Sequence, residues 1–154
     1  MIRFRSGIQG LAMALTLALP FAAQADMPGK HPAYLHALSD LRAAYWLIDH
    51  RPGDAAVSGH EDVALQQINA AIGEIKKAAI DDGKDLHDHP AVDAPNDKNG
   101  RLHRALEILK KVHADVNQEE DDPTARGLKQ RSLEHIDKAT HETEGAIWDV
   151  EHHK

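Results

Sequence analysis

Residues 65–79 read LQQINAAIGEIKKAA, and residues 133–147 read LEHIDKATHETEGAI. In the first segment Leu65, Ile68, Ile72, Ile75 and Ala79 recur at steps of three and four, which places them on one face of a helix. Leu133, Ile136, Thr140, Thr143 and Ile147 do the same in the second, with Val150 continuing the stripe. The segments align without a gap at an offset of 68 residues, so that Leu65, Ile68, Ala71, Glu74 and Ala78 fall on Leu133, Ile136, Ala139, Glu142 and Ala146. A strand needs alternation, and no convincing run of it occurs after residue 26.

Working outward, a helix is predicted from about Pro32 to His50, with Tyr34, Leu38, Leu41, Tyr45 and Ile48 inward and Arg51-Pro52-Gly53 as its stop. Ser58-Gly59-His60-Glu61 has the form of a capping box opening the second helix, and Gly83 suits its C-terminal cap. Residues 83–100 hold two prolines and six aspartates or asparagines and read as a long acidic connection. A third helix is predicted over Arg101–Glu120, burying Leu102, Leu106, Leu109 and Val116, and Asp122-Pro123 reads as the cap and first residue of a fourth.

The same offset aligns Ala37-Leu38 and Leu41-Arg42 with Ala105-Leu106 and Leu109-Lys110, and about 11 of roughly 50 aligned positions are identical. A duplicated helical hairpin explains this, and so does shared heptad patterning. The expected fold is all-α, an antiparallel up-down-up-down four-helix bundle.

Ahead of the helices, Arg3 and Arg5, the uncharged stretch Leu11–Ala23 and Ala23-Gln24-Ala25 have the three parts of a secretory signal peptide. Cleavage after Ala25 leaves residues 26–154 as one domain exported to the periplasm, with no membrane segment. Loss of two arginines takes the formal charge from -7 to -9, a balance that disfavours nucleic acid and anionic membranes and suits cations. The chain has no cysteine, so thiolate metal sites and covalent haem attachment through C-x-x-C-H are excluded.

Twelve histidines are the compositional signal. In an up-down-up-down bundle, the start of helix one, the end of helix two, the start of helix three and the end of helix four share one pole. That would gather His31, His36, His87, His89, His103, His152 and His153. Asp85-Leu86-His87-Asp88-His89 is the sharpest local pattern, because H-x-H in extended backbone aims both imidazoles to one side, with Asp85 and Asp88 as oxygen donors or as partners that orient a ring. His36 with Asp40, and His103 with Glu107, stand one helical turn apart. Imidazole with carboxylate suits Zn(II), Cu(II) or Ni(II), whereas Met27 alone after the leader argues against a thioether Cu(I) site. Solvated surface residues are the bland alternative. The metal ligands expected are therefore His31, His36, His87, His89, His103, Asp85, Asp88 and His152.

His113 continues the seam of Leu102, Leu106 and Leu109 and is expected inside the bundle, either as a satisfied core residue or as an axial ligand to b-type haem. His135 and His141 read as an outer charged face, and His50 and His60 belong to the opposite pole, where a weaker second site is conceivable. Neither an H-E-x-x-H helix nor a nucleophile elbow nor a phosphate-binding glycine loop occurs, so no enzyme is expected.

Glu134-His135-Ile136-Asp137-Lys138-Ala139 and His141-Glu142 are similar to the histidine and alanine repeats of the periplasmic small metal-binding proteins. The resemblance covers about a fifth of the chain and implies low-specificity binding of divalent metals. That family is richer in histidine, spaces it regularly and lacks the long acidic connection. His31–Leu38 also resembles the opening of other exported bacterial helical proteins. Three functional expectations follow: a metal-binding or metal-buffering protein, a helical interaction module with incidental histidines, or a b-type haem carrier.

Overall fold

A computed structural model of the chain describes residues 32–50, 58–81, 97–119 and 127–152. The expected leader, His31, Gly83, His87, His89, Asp85, Asp88 and the Asp122-Pro123 cap lie outside the described residues. Among the described residues there are four helices: α1 (Pro32–Asp49), α2 (Gly59–Asp81), α3 (Lys98–Gln118) and α4 (Leu128–His152). Among the described residues none of them is long and apolar enough to cross a membrane.

Local sequence accounts for the helix starts. The Ser58 hydroxyl accepts from the His60 backbone N–H at 3.1 Å, capping α2. Asp97 caps α3 by accepting from Gly100 N at 2.7 Å, so α3 begins at Lys98, three residues before the expected Arg101. The Asp97 carboxylate gives the Gly100 N–H, one of the first-turn donors without an intrahelical acceptor, its partner, and that capping bond offsets the entropic cost of a glycine in the first turn. Gly127 has a φ of 76°, open to glycine at little cost, and its carbonyl takes the first helical bond of α4 from Arg131 N at 3.1 Å.

Among the described residues, α1 packs on α2 and α3, and α4 packs on α2 and α3, while the pairs α1/α4 and α2/α3 face each other across diagonals. Interhelical polar pairs fix the directions. Ala33 N donates to Glu119 Oε2 at 2.9 Å and Lys111 Nζ to Asp40 at 2.5 Å, so α1 and α3 are antiparallel. His60 meets Glu142, Gln67 meets His135 and Arg131 meets Glu74, so α2 and α4 are antiparallel as well. His103–Glu151, Lys110–Glu144 and His113–Asp137 give the same result for α3 and α4.

The fold is thus the expected all-α bundle, with directions alternating around the ring α1–α2–α4–α3. The order in which the chain fills that ring differs from the simple meander. Taken along the sequence the helices run up, down, down, up, and α2 and α3 point the same way. A 2.8 Å ion pair between Lys98 and Glu61 joins the first turns of those two helices. The long connection expected between the second and third helices leaves residues 82–96 to join α2 to α3, a length sufficient to return the chain to the end where α2 began.

This order relates the hairpins α1–α2 and α3–α4 by a two-fold axis across the bundle. Gln67 and His135, which face each other at 2.8 Å, stand 68 residues apart, the offset of the sequence repeat. Near the same level, Leu41 and Leu109 are also 68 apart, and both are fully buried. Shared heptad spacing alone sets no offset between contacting residues, so the geometry favours duplication.

Ala37, Leu41, Ala44, Ile48, Ile68, Ala71, Ile75, Leu109, Ile136, Ala139 and Ala146 meet in the core. Alanines at the facing positions let the helix backbones approach closely and fill the space that larger side chains would contest. Tyr45, Ile72, Leu106, Leu133 and Val150, expected inward, are partly buried at the edges of the stripe. Thr140, also expected inward, is half-buried, and its hydroxyl bonds the Ile136 carbonyl.

Candidate functional site

The change in helix order redistributes the histidines. His36 sits in the second turn of α1, at the end where α2 and α3 finish and α4 begins. His103 and His152 lie at the other end, together with His50 and His60. The expected common pole therefore loses His36, while His103 and His152 share one end as expected. Among the described residues no group of three or more His, Asp or Glu side chains is arranged to hold a metal ion.

What the bundle builds instead is a set of imidazole–carboxylate pairs in which α4 supplies every carboxylate. His60 Nδ1 of α2 lies 2.6 Å from Glu142 Oε2, His113 Nε2 of α3 lies 3.3 Å from Asp137, and His103 Nε2 of α3 lies 3.6 Å from Glu151. Asn99 Nδ2 also reaches Glu151, at 3.5 Å. The expected partners within single helices are engaged elsewhere: Asp40 takes Lys111, and Glu107 takes Arg104 at 2.8 Å.

The His60 pair is the most developed. A Cβ built on Gly145 would stand 2.8–3.0 Å from three atoms of the His60 ring, so the imidazole occupies space that any other residue would fill. The hydrogen bond to Glu142 raises the His60 pKa, partial burial opposes it, and the charges of Glu142 and Asp149 add to the rise. Sequence reading placed His60 at the opposite pole and missed this pair. The available signal was Gly145 inside an otherwise continuous helical pattern, where a glycine usually has a packing reason.

His113 is not a core residue. Its side chain is 41% exposed, because the inner stripe of α3 runs Leu102, Ala105, Leu109, Val112, Val116 and gives Val112 the buried position. A shallow pocket of about 160 Å³ lined by Lys110, His113, Asp137 and Thr140 marks its outer location. The haem expectation loses its inward ligand. His135, expected on an outer face, is half-buried and bonds Gln67 across α2 and α4, whereas His141 is exposed.

Two histidines stack on tryptophans one turn earlier, His50 on Trp46 at 4.0 Å between ring centroids and His152 on Trp148 at 4.5 Å. His152 Nδ1 lies 2.8 Å from the Trp148 carbonyl, which only accepts. That ring nitrogen is therefore the donor, and in the neutral imidazole Nε2 keeps its lone pair.

Comparison with known proteins finds no family model, no curated protein and no solved structure that matches the chain.

Proposed function

We propose that this chain is an exported metal-buffering protein that binds divalent transition metals, Zn(II), Cu(II) or Ni(II), weakly and at several separate points. The supporting observation is the row of imidazole–carboxylate pairs on α4: His60–Glu142, His113–Asp137 and His103–Glu151. Each offers nitrogen and oxygen donors from two different helices, the mixed set that borderline divalent cations accept. Two protein donors leave the remaining positions to water, which fits weak and exchangeable binding. His152, whose Nδ1 is held by a backbone carbonyl, is oriented in the way that metal-bound histidines are usually oriented.

The interaction-module reading draws less support. Trp148 is 55% exposed and Trp46 37%, but they lie on α4 and α1, helices that face each other across the bundle diagonal without packing. With Val63 of α2 at 38%, the exposed large apolar side chains among the described residues number one on each of α1, α2 and α4.

Calorimetric titration of the residue 26–154 chain with each metal at pH 7.5 tests the reading. Several weak events are expected, lost near pH 5 as imidazoles protonate, and reduced in the triple variant His60→Ala, His103→Ala, His113→Ala. No heat with any of the three metals refutes metal binding. Unchanged heat in the triple variant refutes these pairs as the ligands.

A further inference from the structure

The three imidazole–carboxylate pairs do not offer a metal ion the same geometry. With zinc bonds of about 2.0–2.1 Å to nitrogen and about 2.0–2.2 Å to carboxylate oxygen, two donors on one ion stand about 3.3–3.5 Å apart at a tetrahedral angle and about 2.8–3.0 Å apart at a right angle. His113 Nε2 and Asp137 Oδ1 are 3.3 Å apart, the tetrahedral separation. His103 Nε2 and Glu151 Oε1, at 3.6 Å, fall just outside it, and Asn99 Nδ2 shares that carboxylate oxygen. His60 Nδ1 and Glu142 Oε2, at 2.6 Å, are closer than either angle allows and leave no place for an ion between them. With Nδ1 bonded to the carboxylate, Nε2 is the nitrogen that His60 has left to give.

The His113 pair also opens on the shallow pocket of about 160 Å³ that Lys110 and Thr140 complete. At about 30 Å³ for each water, that space admits an ion with two waters beside it. Thr140 donates its hydroxyl proton to the Ile136 carbonyl at 2.8 Å and so turns only acceptor capacity to the pocket, which a metal-bound water, a hydrogen-bond donor, can use. Lys110 would repel a cation, but Glu144 holds its ammonium at 3.1 Å. We propose, resting on the metal-binding reading above, that His113 and Asp137 hold Zn(II) along one edge of a tetrahedron, with two waters in the pocket as the other ligands. His60 takes a metal through Nε2 alone, and Glu142 is there a positioning residue that orients the ring from behind. The pair on α3 and α4 thus selects by coordination geometry, which the pair on α2 and α4 does not.

Calorimetry of the residue 26–154 chain with Zn(II) at pH 7.5, and visible absorbance with Co(II) in its place, distinguish the pairs. The His113 and Asp137 side chains are 41% and 64% exposed, so substituting them leaves the core intact. Co(II) should give the intense bands of four-coordination. Asp137→Asn should remove those bands and weaken the tightest Zn(II) event at least about tenfold, while Glu142→Gln leaves both unchanged. Weak six-coordinate bands in the unaltered chain, or a Zn(II) affinity that Asp137→Asn does not change, overturn the tetrahedral site while metal binding itself stands. Bands abolished by Glu142→Gln place the ion on the His60 pair and overturn it as well. No heat with Zn(II), Cu(II) or Ni(II) overturns this site and the metal-binding reading together.

Discussion

Replacing Gly145 by alanine sets two effects of similar size against each other, and pH decides between them. In a helix interior alanine is favoured over glycine by about 0.8–1.0 kcal/mol. Gly73 in α2 provides the reference, since a Cβ there meets nothing within 4 Å, and Gly73→Ala should show the full gain at any pH. At Gly145 the new methyl would lie 2.8 Å from His60 Nδ1 and 2.9 Å from Cγ, so the ring must swing away and give up its 2.6 Å contact with Glu142. With the His60 side chain 46% exposed, such a pair contributes about 0.2–1 kcal/mol when the imidazole is charged.

The folded-state pKa of His60 is raised above its ordinary 6.5, so the contribution is fully present below 6.5 and is lost as pH rises through the raised value. Gly145→Ala should therefore stabilise by about 0.8–1.0 kcal/mol once the imidazole is neutral, at pH 8.5, and change stability by only about -0.2 to +0.8 kcal/mol at pH 5.5. Urea denaturation at the two pH values measures both variants, and NMR titration should place His60 closer to 6.5 once the notch is filled. If Gly145→Ala tracks Gly73→Ala at both pH values, or His60 titrates unchanged, the notch does not hold the imidazole.

Two further outcomes follow from charged groups at the helix contacts. Glu61 is 1% exposed and paired to Lys98, so Lys98→Ala should destabilise by about 1–3 kcal/mol in urea, and adding Glu61→Leu should restore part of that loss because a well-packed apolar pair tolerates burial. Glu74 has its pKa lowered, first by the hydrogen bond from Lys77 and then by the one from Arg131, with burial opposing. Its contribution is present above the ordinary 4.5 and is lost as pH falls through the depressed value, so Glu74→Gln should cost about 1 kcal/mol at pH 7 and flatten the acid side of the stability curve below about pH 4.5.

The sequence by itself determined the helices and the duplicated register. Apolar residues at steps of three and four are a local property, and Ser58 acts on its own turn in the same local way. The offset of 68 likewise required only comparison of one half with the other, and it reappears as the Gln67–His135 contact. Tertiary structure alone decided which way the third helix runs. A connection as long as residues 82–96 allows either direction, and nothing in its composition records the choice. That choice parted His36 from His103 and His152 and brought His60 onto Gly145 beside Glu142, whereas the inward place of Val112 in preference to His113 follows the Leu102, Ala105, Leu109, Val112, Val116 stripe of α3 itself. Contacts between residues far apart in the chain depend on how whole helices are placed, and the periodicity that builds each helix is the same for every placement.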